Sequence, residues 1–143
     1  MCESIEVIIV NSADQLKSIF EVRNAVFVQE QKVSKEEEYD TFETSSTHLL
    51  AKCDNQVVGT CRFRNTDKGI KLERFAVLKD HRDRGVGAAL LQKALSEVDT
   101  RQKVYLHAQV QVVDFYAKYG FDQVGPKFEE ANIQHYKMVY NLK

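Results

Sequence analysis

Hydrophobic and polar positions change period several times along the chain, and each change predicts an element. Residues 5–10 are a short β-branched run, which predicts a strand. Ser12 stands three residues before Gln15, a capping-box start. Leu16, Ile19, Phe20, Arg23, Val26 and Phe27 follow at three- and four-residue spacing and predict one amphipathic helix. From Gln29 to Thr47 the pattern lapses into a polar stretch holding the acidic run Glu36-Glu37-Glu38-Tyr39-Asp40. That is too long for a simple connection, and long loops in compact domains are often functional.

Residues 48–53 and 57–64 predict a hairpin, a second turn follows at 65–69, and 70–77 is the third strand of the meander. A charged loop covers 78–84. Residues 85–99 predict a helix with Val86, Leu90, Leu91, Ala94, Leu95 and Val98 on one face. A strand at 104–108 precedes a short helix from Phe115 to Tyr119, which Gly120 stops. Strands at 123–125 and 135–141 close the chain, joined by a polar loop with the only proline, Pro126. The order β-α-β-β-β-α-β-α-β-β is that of one mixed sheet with helices packed on it, an α/β chain of α+β-like order.

Composition narrows the classes. At 143 residues one domain spanning 1–143 is expected, since halves would have poor cores. Twenty Lys+Arg against 21 Asp+Glu give a net charge of −1, without the basic bias of a nucleic-acid binder. No apolar run nears the roughly 20 residues that cross a bilayer, and the N-terminus lacks a secretory pattern, so no membrane partner and a cytoplasmic location are expected. Cys2, Cys53 and Cys61 are odd in number and make no CxxC, which reads as free thiols; Cys53 should pair near Val58 and Cys61 near Leu50. The histidines have no HxxxH or HxH spacing, so no metal site is expected.

The chemistry concentrates at Arg82-Asp83-Arg84-Gly85-Val86-Gly87-Ala88. A strand, a basic loop and two glycines opening a helix place several backbone N–H groups at a positive helix terminus, which attracts phosphate. Neither G-x-G-x-x-G nor G-x-x-x-x-G-K-[ST] is present, which disfavours dinucleotide and Walker-type sites. A plain glycine-rich helix cap with solvated arginines is the alternative.

Arg82-x-x-Gly85-x-Gly87-Ala88, after Leu72-Glu73-Arg74-Phe75-Ala76-Val77, resembles the [QR]-x-x-G-x-[GA] motif of GNAT-type N-acetyltransferases. Gln109 and Val113-Asp114-Phe115-Tyr116-Ala117-Lys118-Tyr119-Gly120-Phe121 resemble the family's later N-x-x-A-x-x-F-Y-x-x-x-G-F segment, with Gln109 for the usual Asn and Val112 for the usual Ala. Val22-Arg23 through Val26-Phe27-Val28-Gln29-Glu30-Gln31, His48 and Glu130-Ala131-Asn132-Ile133-Gln134-His135 resemble a small bacterial subfamily. The resemblance covers nearly the whole chain.

It implies a central, mostly antiparallel mixed sheet of about six to seven strands, acetyl-CoA as donor and a small-molecule primary amine as acceptor. It also implies a homodimer through the C-terminal strands. The backbone of Phe75, Ala76 and Val77 would pair with the pantetheine arm. The amides of Arg82, Asp83, Arg84, Gly85, Val86, Gly87 and Ala88 would hold the pyrophosphate, with Gln109 and Phe115 also on the coenzyme. Tyr116 would hold the family's position for the tyrosine that protonates the leaving thiolate, against a core aromatic beside Phe115, Tyr119 and Phe121; helix spacing puts Phe115 and Tyr119 on one face and Tyr116 on another, which favours splitting the roles. Glu73 is the base candidate, against a cross-strand ion pair with Arg62 or Arg64. His48, His107 and His135 are weaker base candidates. Arg23, Phe27, Glu30, His48 and His135 are candidate acceptor contacts, and the acidic run could attract an amine or simply be solvated. Against the enzyme stand a catalytically silent CoA-binding regulatory or sensor module and a phosphate-binding protein unrelated to CoA.

Overall fold

The computed structural model describes residues 4–40 and 42–141; Cys2 and Thr41 lie outside them. Seven strands, β1 (Ile5–Ile9), β2 (Thr47–Cys53), β3 (Gln56–Thr66), β4 (Gly69–Val77), β5 (Val104–Gln109), β6 (Phe121–Glu130) and β7 (Ile133–Tyr140), form one sheet. Their order is β1-β2-β3-β4-β5-β7-β6. Neighbours are antiparallel except β4 and β5, which run parallel.

The two faces of the sheet differ in chemistry. On one, Leu49, Cys61, Leu72 and Leu106 pack beneath helix α3 (Val86–Glu97) through Leu90, Leu91 and Ala94. Gly59 of β3 lets that helix sit close: a Cβ there would lie 2.9 Å from Val86 Cγ1 and 3.2 Å from Leu90 Cδ1. On the other face His48, Arg62 and Glu73 stand opposite one another across β2, β3 and β4. Helix α1 (Ala13–Arg23), capped by Ser12 as its sequence predicts, and the single-turn α2 (Lys35–Glu38) cover this charged layer.

Four expectations are corrected. The first helix is α-helical only to Arg23 and continues as a π-helical segment, Asn24–Glu30, closed by Gln31 N–H donating to Val26 O. Val26 and Phe27 are both buried, as their spacing predicts, but the three- and four-residue spacing gives no sign of the wider turn. The polar loop around Pro126 is strand: β6 runs unbroken from Phe121 to Glu130. It is an exposed edge strand, so it carries no alternation to read, and Pro126 sits at a register break where its missing N–H is tolerated. The Cys53 hairpin turns on Asp54-Asn55 alone, both left-handed, so Cys53 faces Gln56 and Cys61 faces Leu49. Cys53 is disulfide-bonded and not a free thiol, whereas Cys61 is free and buried.

Candidate active site

β4 and β5 are paired only over Ile70–Val104, Lys71–Tyr105 and Leu72–Leu106, and beyond that point they diverge. The register of β4 on β3 also slips between Thr60 and Arg62, a bulge in which Arg74 takes a left-handed φ of 59°. The conformation is costly for arginine and is held by its guanidinium donating to Glu38 O and bridging Glu38 and Asp40. Sequence reading passed over Arg74, since no local pattern marks a bulge. Its consequence is that residues 73–77 present an open backbone edge toward the gap, where Phe75, Ala76 and Val77 lie.

The glycine turn borders the same gap. Asp83 and Gly85 both have positive φ, 62° and 87°, and Gly85 caps α3 with no side chain over its first-turn N–H groups. Alternating handedness of this kind makes a concave set of backbone donors suited to an anion. A Cβ on Gly85 would meet only Ile5 Cδ1, at 3.7 Å, so the approach is open. The Arg82 guanidinium is already engaged: it donates to both carboxylate oxygens of Glu30 at 2.6 Å and to Val77 O at 2.9 Å. That leaves the backbone of Arg82 to Ala88, with exposed Arg84 beside it, as the part of the turn open to an anion.

On the far side of the gap α4 (Val113–Lys118) presents Phe115 and Tyr116. Phe115 packs on Tyr119 at 5.3 Å and Tyr116 on Phe75 of β4 at 5.6 Å, but Phe115 and Tyr116 also meet at 5.1 Å and Tyr116 reaches Phe121 at 6.0 Å, so Tyr116 is part of the aromatic core as well as of the gap wall. Tyr116 is buried, and burial pushes its phenol well above the ordinary value. Gln109, at the end of β5, exchanges amide hydrogen bonds with Gln31 from the π segment and accepts another from Gln111. The two glutamines thus bridge from the π segment to the end of β5.

The remaining candidates divide differently. Glu73 is an ion-pair residue: Arg62 and Arg64 both bond its carboxylate and Lys71 Nζ stands 3.2 Å away. Burial pushes its carboxyl up, but Arg62 and Lys71 overcome this and hold it at about 2. A carboxylate so acidic is a weak proton acceptor, which argues against the base assignment and for the ion pair. Arg23 is 1% exposed and spends its donors on Glu38 and Glu43, so it reaches no acceptor. His48 is buried on β2 with Nε2 on Glu43 O, and burial lowers its pKa. Phe27 packs with Val22, Val26, Val33 and Ala76, beside the gap. His135 is buried, stacked on Phe128, with Nδ1 on Ile133 O. The acidic run is folded into this layer through Glu38 and Asp40. Among the described residues no group of His, Cys, Asp or Glu could hold a metal ion, and no helix is long and apolar enough to cross a membrane.

A sheet splayed between its fourth and fifth strands, with an uncapped glycine turn at one side and a tyrosine helix at the other, defines an acyl-CoA transferase site. The family model of the acetyltransferase (GNAT) domain matches residues 12–142, and the chain belongs to that family, whose acyl donor is acetyl-CoA. It is 40% identical over 136 residues to the uncharacterized N-acetyltransferase YjcF of Bacillus subtilis, covering 92% of this chain and 96% of that one. The crystal structure of Escherichia coli ElaA superposes with a TM-score of 0.85 at 27% identity, over 96% of this chain and all of the other. An acyl-CoA N-acyltransferase from Pseudomonas aeruginosa does so at 0.84 and 25%, with the same coverage.

Proposed function

We propose that this chain moves an acetyl group from acetyl-CoA to the primary amine of a small molecule by direct attack. The observation that carries this is the open edge of β4 at 73–77, set between the Gly85 turn and Tyr116. A pantetheine arm laid along that edge would gain main-chain hydrogen bonds like an added strand. A backbone N–H at 75–77 then polarises the thioester oxygen, usually a large catalytic contribution. Holding amine and thioester in line contributes up to about 7–11 kcal/mol in ideal intramolecular cases. The Gly85 turn takes the pyrophosphate through its amides, while Arg82 stays with Glu30.

Tyr116 is the proton donor to the departing thiolate. Its burial keeps the phenol protonated at every working pH, and the ordinary phenol lies only about 1.5 units above a thiol. Desolvation of the departing thiolate raises its basicity as well, which favours its taking that proton. Glu73 is assigned to the ion pairs beneath the site.

Calorimetric titration with acetyl-CoA tests the donor half, and no binding at millimolar coenzyme refutes it. A screen of amines, aminosugars, polyamines and peptide N-termini with free-CoA detection tests the transfer. Binding without turnover across that panel would favour the catalytically silent CoA-binding module. Tyr116→Phe is expected to lower kcat about 10²-fold or more, in the range of general acid catalysis, with acetyl-CoA affinity little changed. Wild-type rates in that variant across a pH series would remove Tyr116 from the mechanism.

A further inference from the structure

A cationic acceptor must lose a proton before it attacks, and the Glu73 carboxylate, held by Arg62, Arg64 and Lys71, is poorly suited to take it. His107 is the first residue of β5 beyond the last position paired with β4, at the point where the gap opens. Its Nδ1 lies 3.3 Å from Glu130 Oε2, and Phe128 packs edge-on against its ring at 5.0 Å. The imidazole is 24% exposed, and its Nε2 has no partner among the described residues. Glu130 ends β6, just before the two-residue turn Ala131-Asn132. Ala131 of that turn and Ile133 just after it pack against the apolar cluster containing Ala76. The hairpin tip therefore carries Glu130 to the same end of β4 whose backbone edge receives the thioester.

We propose that His107, oriented by Glu130, is the catalytic base that takes the proton from the acceptor amine. The inference rests on the acetyltransferase reading above. An ammonium acceptor first gives one proton to His107 Nε2; the freed nitrogen lone pair attacks the acetyl carbon, the C–N bond forms, and the C–S bond breaks. The thiolate takes its proton from Tyr116, and the second proton on nitrogen passes through solvent to the tyrosinate. Both side chains return to their starting states through solvent. A carboxylate on Nδ1 fixes the tautomer with Nδ1 protonated and the Nε2 lone pair free, and it stabilises the imidazolium that forms. Glu130 suits this task, since the hydrogen bond to His107, followed by nearby Lys71 and His135, holds its carboxyl below the ordinary range. The other candidates differ: Glu30 is held by Arg82, His48 is buried with Nε2 on Glu43 O, and His135 is buried with Nδ1 on the Ile133 carbonyl in place of a carboxylate.

The tautomer is read without any acceptor, from the imidazole 15N resonances of the intact protein. Nδ1–H with a free Nε2 is expected, and loss of that preference in Glu130→Gln; the opposite tautomer in the wild type overturns the proposal. Turnover is read with two probes, benzylamine, cationic at neutral pH, and methoxyamine, neutral there. His107→Gln should lose about 10²-fold or more in kcat/KM with benzylamine, the scale of general base catalysis, and far less with methoxyamine. Acetyl-CoA affinity should be unchanged. Glu130→Gln should show the same split more weakly, and Glu130→Asp should recover most of the rate. Equal losses on both amines, or none, overturn the base assignment while leaving the acetyltransferase reading intact. A wild type that binds no acetyl-CoA fails that reading instead. If it binds acetyl-CoA but acetylates neither probe, the tautomer measurement decides the dyad alone.

Discussion

Four arginines set the character of the acceptor side of this molecule. Arg23 and Arg62 are each 1% exposed, yet both are fully charged, and Asp40 and Glu43 each bond Arg62 while Glu43 also holds Arg23. Glu73 gathers Arg62, Arg64 and Lys71, and Arg74 closes the set onto Glu38. Removing one partner from such a set leaves an uncompensated buried charge, which typically costs about 3–5 kcal/mol. Glu73→Gln keeps an acceptor for Arg62 and is expected to cost less, about 1.5–3 kcal/mol, the range of hydrogen bonds to charged groups. Denaturant midpoints read this directly. With Glu73 committed to ion pairs, the shape of the pH–rate profile should survive the change; a lost acidic limb would restore it as the base.

Among the elements, α3 links packing to coenzyme binding. Its N-terminus approaches the sheet because β3 carries glycine at 59, opposite Val86 and Leu90. Gly59→Ala places a methyl 2.9 Å from Val86 Cγ1 and 3.2 Å from Ala76 O, so the helix start must move. Overpacking of this kind costs about 1–3 kcal/mol. Acetyl-CoA affinity should fall as well, because the Gly85 amides move with the helix; an unchanged dissociation constant in a folded variant would separate the cradle from the packing. The motif from Arg82 to Ala88 was legible in the sequence because strand, turn and helix follow one another locally. Gly59, 26 residues upstream of that turn, was not, because its partner is reached only through the sheet.

At the scale of the whole molecule, the charged layer makes stability depend on acid. Asp40 and Glu73 are each held at about 2, against ordinary values of 3.8 and 4.5, and Glu43 is lowered too. A depressed carboxyl contributes stability that is present above its unfolded pKa and lost as pH falls through the folded one. Glu38 acts in the opposite sense, because burial raises it. Three groups outweigh one, and burial lowers His48 in the same layer, so thermal midpoints should decline modestly below about pH 6.5 as His48 is forced to charge and fall steeply between about 4.5 and 2. A flat curve across that window would mean that the layer contributes little net stability.

The sequence by itself determined the order of elements, the glycine turn and the tyrosine helix, and through them the family. Each is a local signal, a periodicity or a short run of residues whose neighbours in space are also neighbours in the chain. The roles of the charged and imidazole groups were decided only by the tertiary structure. Glu73 looked as suitable for a base as for an ion pair until Arg62, Arg64 and Lys71 closed on it from β3 and β4 itself. Arg23 looked available to a substrate until Glu38 and Glu43 took its donors from 15 and 20 residues away. His107 gained its place by meeting Glu130, 23 residues on, across the folded hairpin. What a titratable side chain does depends on burial and on which charges surround it, and both are properties of contacts made between distant parts of the chain.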